Sequence, residues 1–185
     1  MKLNLKAAFQ SLLQMGKRGD DGSDDDGPVS IVLLLRESRV TSLERLRLAC
    51  TNAFREPFSS ESSGRYFVVQ KVIFTIINAG PHALSFMHYS KPYGEDRSRE
   101  FLNSMRLPSQ RKGWAEHTAW EAIDYVKSRG NLDLEYAVLA KLCAELVNEN
   151  CTGAWLPKHQ MMIPNDGSLA TYLQRAGSSC PIYLG

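Results

Sequence analysis

Imidazole is the side chain best suited to moving protons near neutral pH, and the 185-residue chain carries four, His82, His88, His117 and His159. No HExxH pair is present, and the four do not fall at ligand spacing on one helix, so no metal site is expected. His117 stands apart because Trp114 and Trp120 flank it and Glu116, Glu121 and Asp124 lie within seven residues. Paired with a carboxylate it could act as a base, giving a hydrolase or transferase of unfamiliar type. Hydrogen-bonded to backbone, it would be a structural residue. Strand alternation leaves open which carboxylate shares its face. The glycine-bracketed signatures GxSxG, GxxxxGK[ST] and GxGxxG, which let backbone amides approach a reacting group, are absent. No catalytic residue is therefore assigned and no cofactor is expected.

A second constellation lies between residues 91 and 112. Lys91, Arg97, Arg99, Arg106, Arg111 and Lys112 outnumber Glu95, Asp96 and Glu100, with Tyr89, Tyr93 and Trp114 at the margins. Stacking rings beside phosphate-binding cations would suit RNA, and a solvated loop uses the same residue types. The whole chain has 22 basic against 20 acidic residues, a net charge of +2, too balanced to collect phosphate polymers or anionic lipid nonspecifically. His117, Trp114, Trp120, Tyr89 and Tyr93 are the candidate ligand-binding residues.

These groups need elements to hold them. Residues 29 to 36, VSIVLLLR, form an apolar run of strand length that requires cover on both faces, hence a central strand. Thr41 with Glu44 has capping-box spacing, and Leu43, Leu46, Cys50 and Phe54 repeat on one side of a helix over 42 to 55. Residues 66 to 77 read as one long strand or two short ones. Asn78, Gly80 and Pro81 supply a turn into HALSFMHY, where Leu84, Phe86 and His88 alternate with Ala83, Ser85 and Met87, a hairpin pattern. Segment 90 to 113 is polar and turn-rich, with one short helix possible around Phe101, Leu102 and Met105. Residues 117 to 126 lean helical by periodicity. Residues 131 to 150 form a helix capped by Asn131 or Asp133, with Tyr136, Leu139, Cys143 and Leu146 inward. CTGAWLP is a short strand, PND a turn, and the last helix runs from Ser168 to a stop at Gly177.

The hydrophobic fraction of 43% and charged fraction of 23% are those of a globular chain, of a size for one domain. Residues 1 to 28 read as an amphipathic helix over 3 to 15 followed by GDDGSDDDGP, a solvated connector with five aspartates. That helix would pack on its own domain, a second protomer or a protein partner. Its start lacks the continuous apolar stretch of a secretory signal. No run approaches the roughly 20 apolar residues of a membrane-spanning helix. Cys50, Cys143, Cys151 and Cys180 are scattered and read as reduced structural thiols, which fits a cytoplasmic protein.

From His117 to Asp166 the order of features, HTAWEAIDYV, then EYAVLAKLCAEL, then an aromatic strand and IPND, resembles a group of uncharacterised bacterial proteins of planctomycete type, close to a domain-of-unknown-function family. The resemblance implies that HTAWEAIDYV is a strand completing a βαβ unit, against its periodicity, and implies no activity. The expected fold over 29 to 185 is α+β, a mostly antiparallel sheet with helices chiefly on one face, loosely ferredoxin-like. The expected function is a noncatalytic binding or protein-interaction module working from an open sheet face.

Overall fold

The strand Val29–Leu35 (β1) is buried at all seven positions, as an uninterrupted apolar run demands. In the computed structural model, which describes residues 27–94, 102, 105–126 and 131–178, β1 is held between Ala119–Tyr125 (β5) and Cys151–Leu156 (β6). The sheet is completed by Tyr66–Gln70 (β2), Thr75–Ala79 (β3), His82–Tyr89 (β4) and Met161–Pro164 (β7). Its seven strands run in the order β2-β3-β4-β5-β1-β6-β7, every neighbouring pair antiparallel. The protein is α+β. The expected N-terminal helix and acidic connector lie outside the described residues, as does Cys180.

Among the described residues, the α-helices whose bounds are given are Leu43–Phe54 (α1), Pro108–Glu116 (α2), Leu132–Leu146 (α3) and Leu169–Ser178 (α4). One sheet face, carrying Ile31, Leu33, Leu84, Phe86 and Ile123, forms the main core with Leu46 and Cys50 of α1, Leu139 and Leu142 of α3, and Leu169 of α4. Each such side chain, fully buried, contributes roughly 1.5–3 kcal/mol of apolar transfer. The other face carries a smaller cluster of Val32, Leu34, Ala122, Trp155 and Met162, covered by Met105 and by Trp114 from α2.

Both sheet edges are blunted. Lys71 N–H donates to Phe74 O, so alternation points the amides of Tyr66, Val68 and Gln70 away from β3. Ser59 takes up two of these groups: Val68 N–H donates to Ser59 O, and Ser59 N–H donates to Tyr66 O. At the far edge Asn165 N–H donates to Thr152 O, which turns Met162 and Pro164 outward. Gln110 Nε2 donates to the Met162 carbonyl, and proline has no N–H to offer. Strand addition at either edge is thereby discouraged.

Several sequence expectations are corrected. The α1 cap is Ser42, whose side chain accepts from Arg45 N–H at 3.1 Å, and the Thr41 hydroxyl is spent elsewhere. Of the two readings of residues 66 to 77, the pair of short strands is the one found, joined through residues 71–74. Helix α2 occupies part of the segment read as polar and turn-rich, where the one short helix was expected around Phe101, Leu102 and Met105. Pro108 pre-sets its first turn, Gln110 Oε1 accepts from Leu107 N–H at 3.1 Å, and only Gly113 and Trp114 are buried, so no apolar stripe announces it. Strand β7 escaped notice because it is four residues long and follows a 3-10 turn at Pro157–His159. Gly177 lies inside α4 and does not end it. A Cβ there would meet Lys141 Cγ at 2.5 Å and Lys141 N at 3.0 Å, so glycine permits α4 to lie close against α3.

Candidate functional site

Strand β5 decides the site by its alternation. Glu121, Ile123 and Tyr125 face the main core, whereas Trp120, Ala122 and Asp124 face the α2 side. Register then assembles rows across the sheet. Ser85, Asp124 and Ser30 stand side by side on β4, β5 and β1, and Met87, Ala122 and Val32 form the next row. Tyr89 and Trp120 are opposite one another in the third and stack at 4.3 Å between ring centroids, 16° from parallel.

The five aromatic candidates converge. Tyr93 meets Trp120 edge-on at 5.2 Å and Trp114 at 6.3 Å, and Trp114 contacts His117 at 5.1 Å and Trp155 at 5.6 Å. These offset and edge-to-face geometries are the ones the ring quadrupoles favour. His117 closes α2 and is only 6% exposed. Tyr93 N–H donates to its Nε2 at 2.9 Å, and its Nδ1–H donates to the Trp114 carbonyl. An Nε2 that accepts must be unprotonated, so the ring is the neutral Nδ1–H tautomer. Burial pushes its pKa below the ordinary imidazole value. With both nitrogens committed to backbone, His117 positions Tyr93 and has no lone pair left for a substrate proton. The reading of His117 as a general base therefore has no geometric support.

The nearby carboxylates are dispersed. Glu116 is on the surface with Arg36 at 3.2 Å and Lys112 at 3.8 Å. Glu121 lies on the opposite face of β5. Asp124 is on the aromatic side and 5% exposed. Its Oδ1 accepts from Ser30 Oγ at 2.6 Å and its Oδ2 from Ser85 Oγ at 3.3 Å. Burial raises its pKa, and the two serine bonds only partly offset that. Of the basic stretch, Arg111 is tied down, its Nη1 donating to Met105 O at 2.7 Å. Arg97 and Arg99 lie outside the described residues.

A cleft of about 380 Å³ opens over this face. Trp120 and Tyr93 wall one part with Met87, and Asp124, Lys158 and Gln160 line the polar part. The indole Nε1 of Trp120 is buried with no acceptor among the described residues. Of the three carboxylates that the sequence left open, Asp124 is the one on this face, and Met87, Lys158 and Gln160 were not among the candidates. Asp124 had a local signal, an acidic residue flanked by Ile123 and Tyr125 in a strand. The other three had none, since their approach depends on the pairing of β4 with β5 and on the turn after β6. Among the described residues, no group of three or more His, Cys, Asp or Glu side chains is placed to hold a metal ion.

Fold and site together define an α+β sheet protein with an aromatic-walled, acid-floored cleft on the sheet face that carries the smaller buried cluster. No protein-family model, curated protein or solved structure matches the chain.

Proposed function

We propose that this chain is a binding module that takes a small planar ligand in the cleft between Trp120, Tyr93 and Asp124. The observation that carries the reading is the cleft, whose volume of about 380 Å³ falls in the range of roughly 300–1,000 Å³ typical of small-molecule sites. A flat ring can lie against Trp120 and Tyr93 and contact the Met87 thioether, while a polar head reaches Asp124. An acceptor on the ligand that reached the indole Nε1 would relieve a buried donor, which otherwise costs about 1–3 kcal/mol. The chemistry of the lining is that of recognition, because the Ser30 hydroxyl donates to Asp124 and no imidazole lines the cleft.

The test is saturation-transfer NMR with indole, benzamidine and cyclohexylamine as probes. The two aromatic probes should bind and the aliphatic amine should not. Trp120→Leu, which keeps an apolar side chain at the position and removes the ring, should abolish both signals. Absence of binding by either aromatic probe, or undiminished binding to Trp120→Leu, overturns the reading.

A further inference from the structure

On the other face of the same strands, behind the Tyr89–Trp120 stack, a second set of polar side chains forms a linear relay. Ser38, exposed in the loop between β1 and α1, has its Oγ 3.1 Å from His88 Nε2 and 2.6 Å from Ser90 Oγ. Ser90 Oγ is itself 3.4 Å from the same nitrogen. The other ring nitrogen, His88 Nδ1, is 3.4 Å from Glu121 Oε1. Glu121, 3% exposed, is oriented in turn: Thr41 N–H donates to Oε1 and Thr41 Oγ to Oε2, both at 3.0 Å. The Ser38 hydroxyl donates to Ser90 Oγ; since a hydroxyl hydrogen rotates to suit its partners, Ser38 can turn to donate to His88 Nε2 while Ser90 donates to Ser38, with His88 Nδ1–H donating to Glu121.

An accessible hydroxyl, an imidazole within reach of it and a buried carboxylate that orients the imidazole are the three parts of an activated nucleophile, and they are recognised by geometry and role regardless of chain order. Unliganded sites often hold these bonds long. Beside His88 opens a groove of about 220 Å³ walled by Val40, Val72, Ile73, Phe74 and Phe86. Val40, Val72 and Ile73 are largely exposed, a placement that costs free energy in water and would be recovered against an apolar chain. The backbone amides of Ser38 and Val40 donate to no protein acceptor among the described residues, which leaves them available to an oxyanion.

We propose that Ser38, His88 and Glu121 form a hydrolytic site for esters of apolar acyl groups, with the acyl chain in the Val40–Phe86 groove. Ser38 Oγ attacks the carbonyl carbon, a C–O bond forms, and the hydroxyl proton passes to His88 Nε2. Glu121 stabilises the imidazolium. Collapse breaks the bond to the alcohol oxygen, which leaves with the proton from His88. Water then attacks the acyl carbon and gives a proton to His88. The carboxylic acid departs as Ser38 Oγ recovers that proton. Water is the only co-reactant and no oxidation state changes. The site is separate from the Trp120 cleft and does not rest on that cleft's having a ligand.

The experiment is labelling of the full chain with an alkyl fluorophosphonate, located by peptide mass spectrometry, alongside hydrolysis of p-nitrophenyl octanoate. The expected result is a single adduct on Ser38, absent from Ser38→Ala, with labelling slowed on the order of 10²-fold in His88→Gln and Glu121→Gln. Ser38 is a surface residue, so Ser38→Ala should unfold at the same temperature as the parent. If the buried-side variants unfold, the folded Ser38→Ala protein decides: its hydrolysis of p-nitrophenyl octanoate should fall to the rate of a protein-free blank. No adduct, an adduct confined to another serine, a rate unchanged in folded His88→Gln, or octanoate hydrolysis undiminished in Ser38→Ala overturns the proposal.

Discussion

Asp124 offers the most informative perturbation, because one residue links the cleft to the stability of the sheet. Its carboxyl is buried between two serine hydroxyls, and burial raises its folded pKa above the unfolded value of about 3.9. Between these two values the folded chain binds more protons than the unfolded chain, so stability falls as pH rises. The contribution of the protonated acid is fully present below the unfolded pKa and is lost as pH climbs through the folded one. Each unit of upward displacement removes about 1.4 kcal/mol by neutral pH. Asp124→Asn keeps the shape, keeps an acceptor for Ser30 and puts a donor against Ser85, and it cannot titrate. It should therefore be at least as stable as the parent at pH 7 and relatively less so at pH 4. Asp124→Ala leaves the Ser85 hydroxyl without its acceptor, whereas Ser30 Oγ keeps the Pro28 carbonyl at 3.3 Å, and the variant should lose about 1–3 kcal/mol. Urea unfolding of the three proteins from pH 4 to pH 8 measures this, and the difference between parent and Asn variant cancels every other titrating group. An Asn variant that is less stable than the parent, by a margin that widens from pH 4 to pH 7, would show that the fold favours the carboxylate and would refute the argument.

Two further outcomes follow from close packing and from the aromatic cluster. Gly153→Ala places a Cβ 2.6 Å from the Ile163 carbonyl oxygen and against Met162 Cε, so β6 and β7 must separate. The expected loss is about 1–3 kcal/mol in denaturant unfolding, and a variant as stable as the parent would show that the β6–β7 pairing is not so close. His117, held neutral by burial, contributes stability that is fully present above its unfolded pKa near 6.5 and is lost as pH falls toward the lower folded value. Protonation at Nε2 also breaks the bond from Tyr93 N–H. In NMR titration the midpoint of its ring should lie below the ordinary imidazole value, and a midpoint at or above that value would contradict the buried neutral tautomer.

Much of this fold was legible from local pattern. The VSIVLLL run could be satisfied only between two strands, and β1 is central. The alternation in HALSFMHY placed Leu84 and Phe86 in the core and Met87 on the other side, as found. Asn131 caps α3 through its side chain as its type suggests. The same method failed where the information is not local. Helix α2 has almost no apolar stripe and is held by Gly113 passing close to the Thr152 carbonyl and by Trp114 beneath it. Periodicity alone in 117 to 126 leaned helical, whereas the resemblance implied the strand that is found, fixed by pairing with both β4 and β1.

The site divides along the same line. Trp114, Trp120, Tyr89, Tyr93 and His117 could be gathered from the sequence because clustered aromatic residues around a histidine are a compositional signal. Whether His117 had a free nitrogen, and which carboxylate stood beside the rings, could not be read there. Those answers depend on register: one residue's shift along β5 would exchange Glu121 for Asp124 on the aromatic face and part Glu121 from His88. Ser38, His88 and Glu121, far apart in the chain, share no motif for the same reason. Residue types determined which chemistries the chain could hold, since those are properties of side chains and their near neighbours. Strand pairing decided which groups meet, because hydrogen-bond distances between remote residues are set only when the sheet has closed.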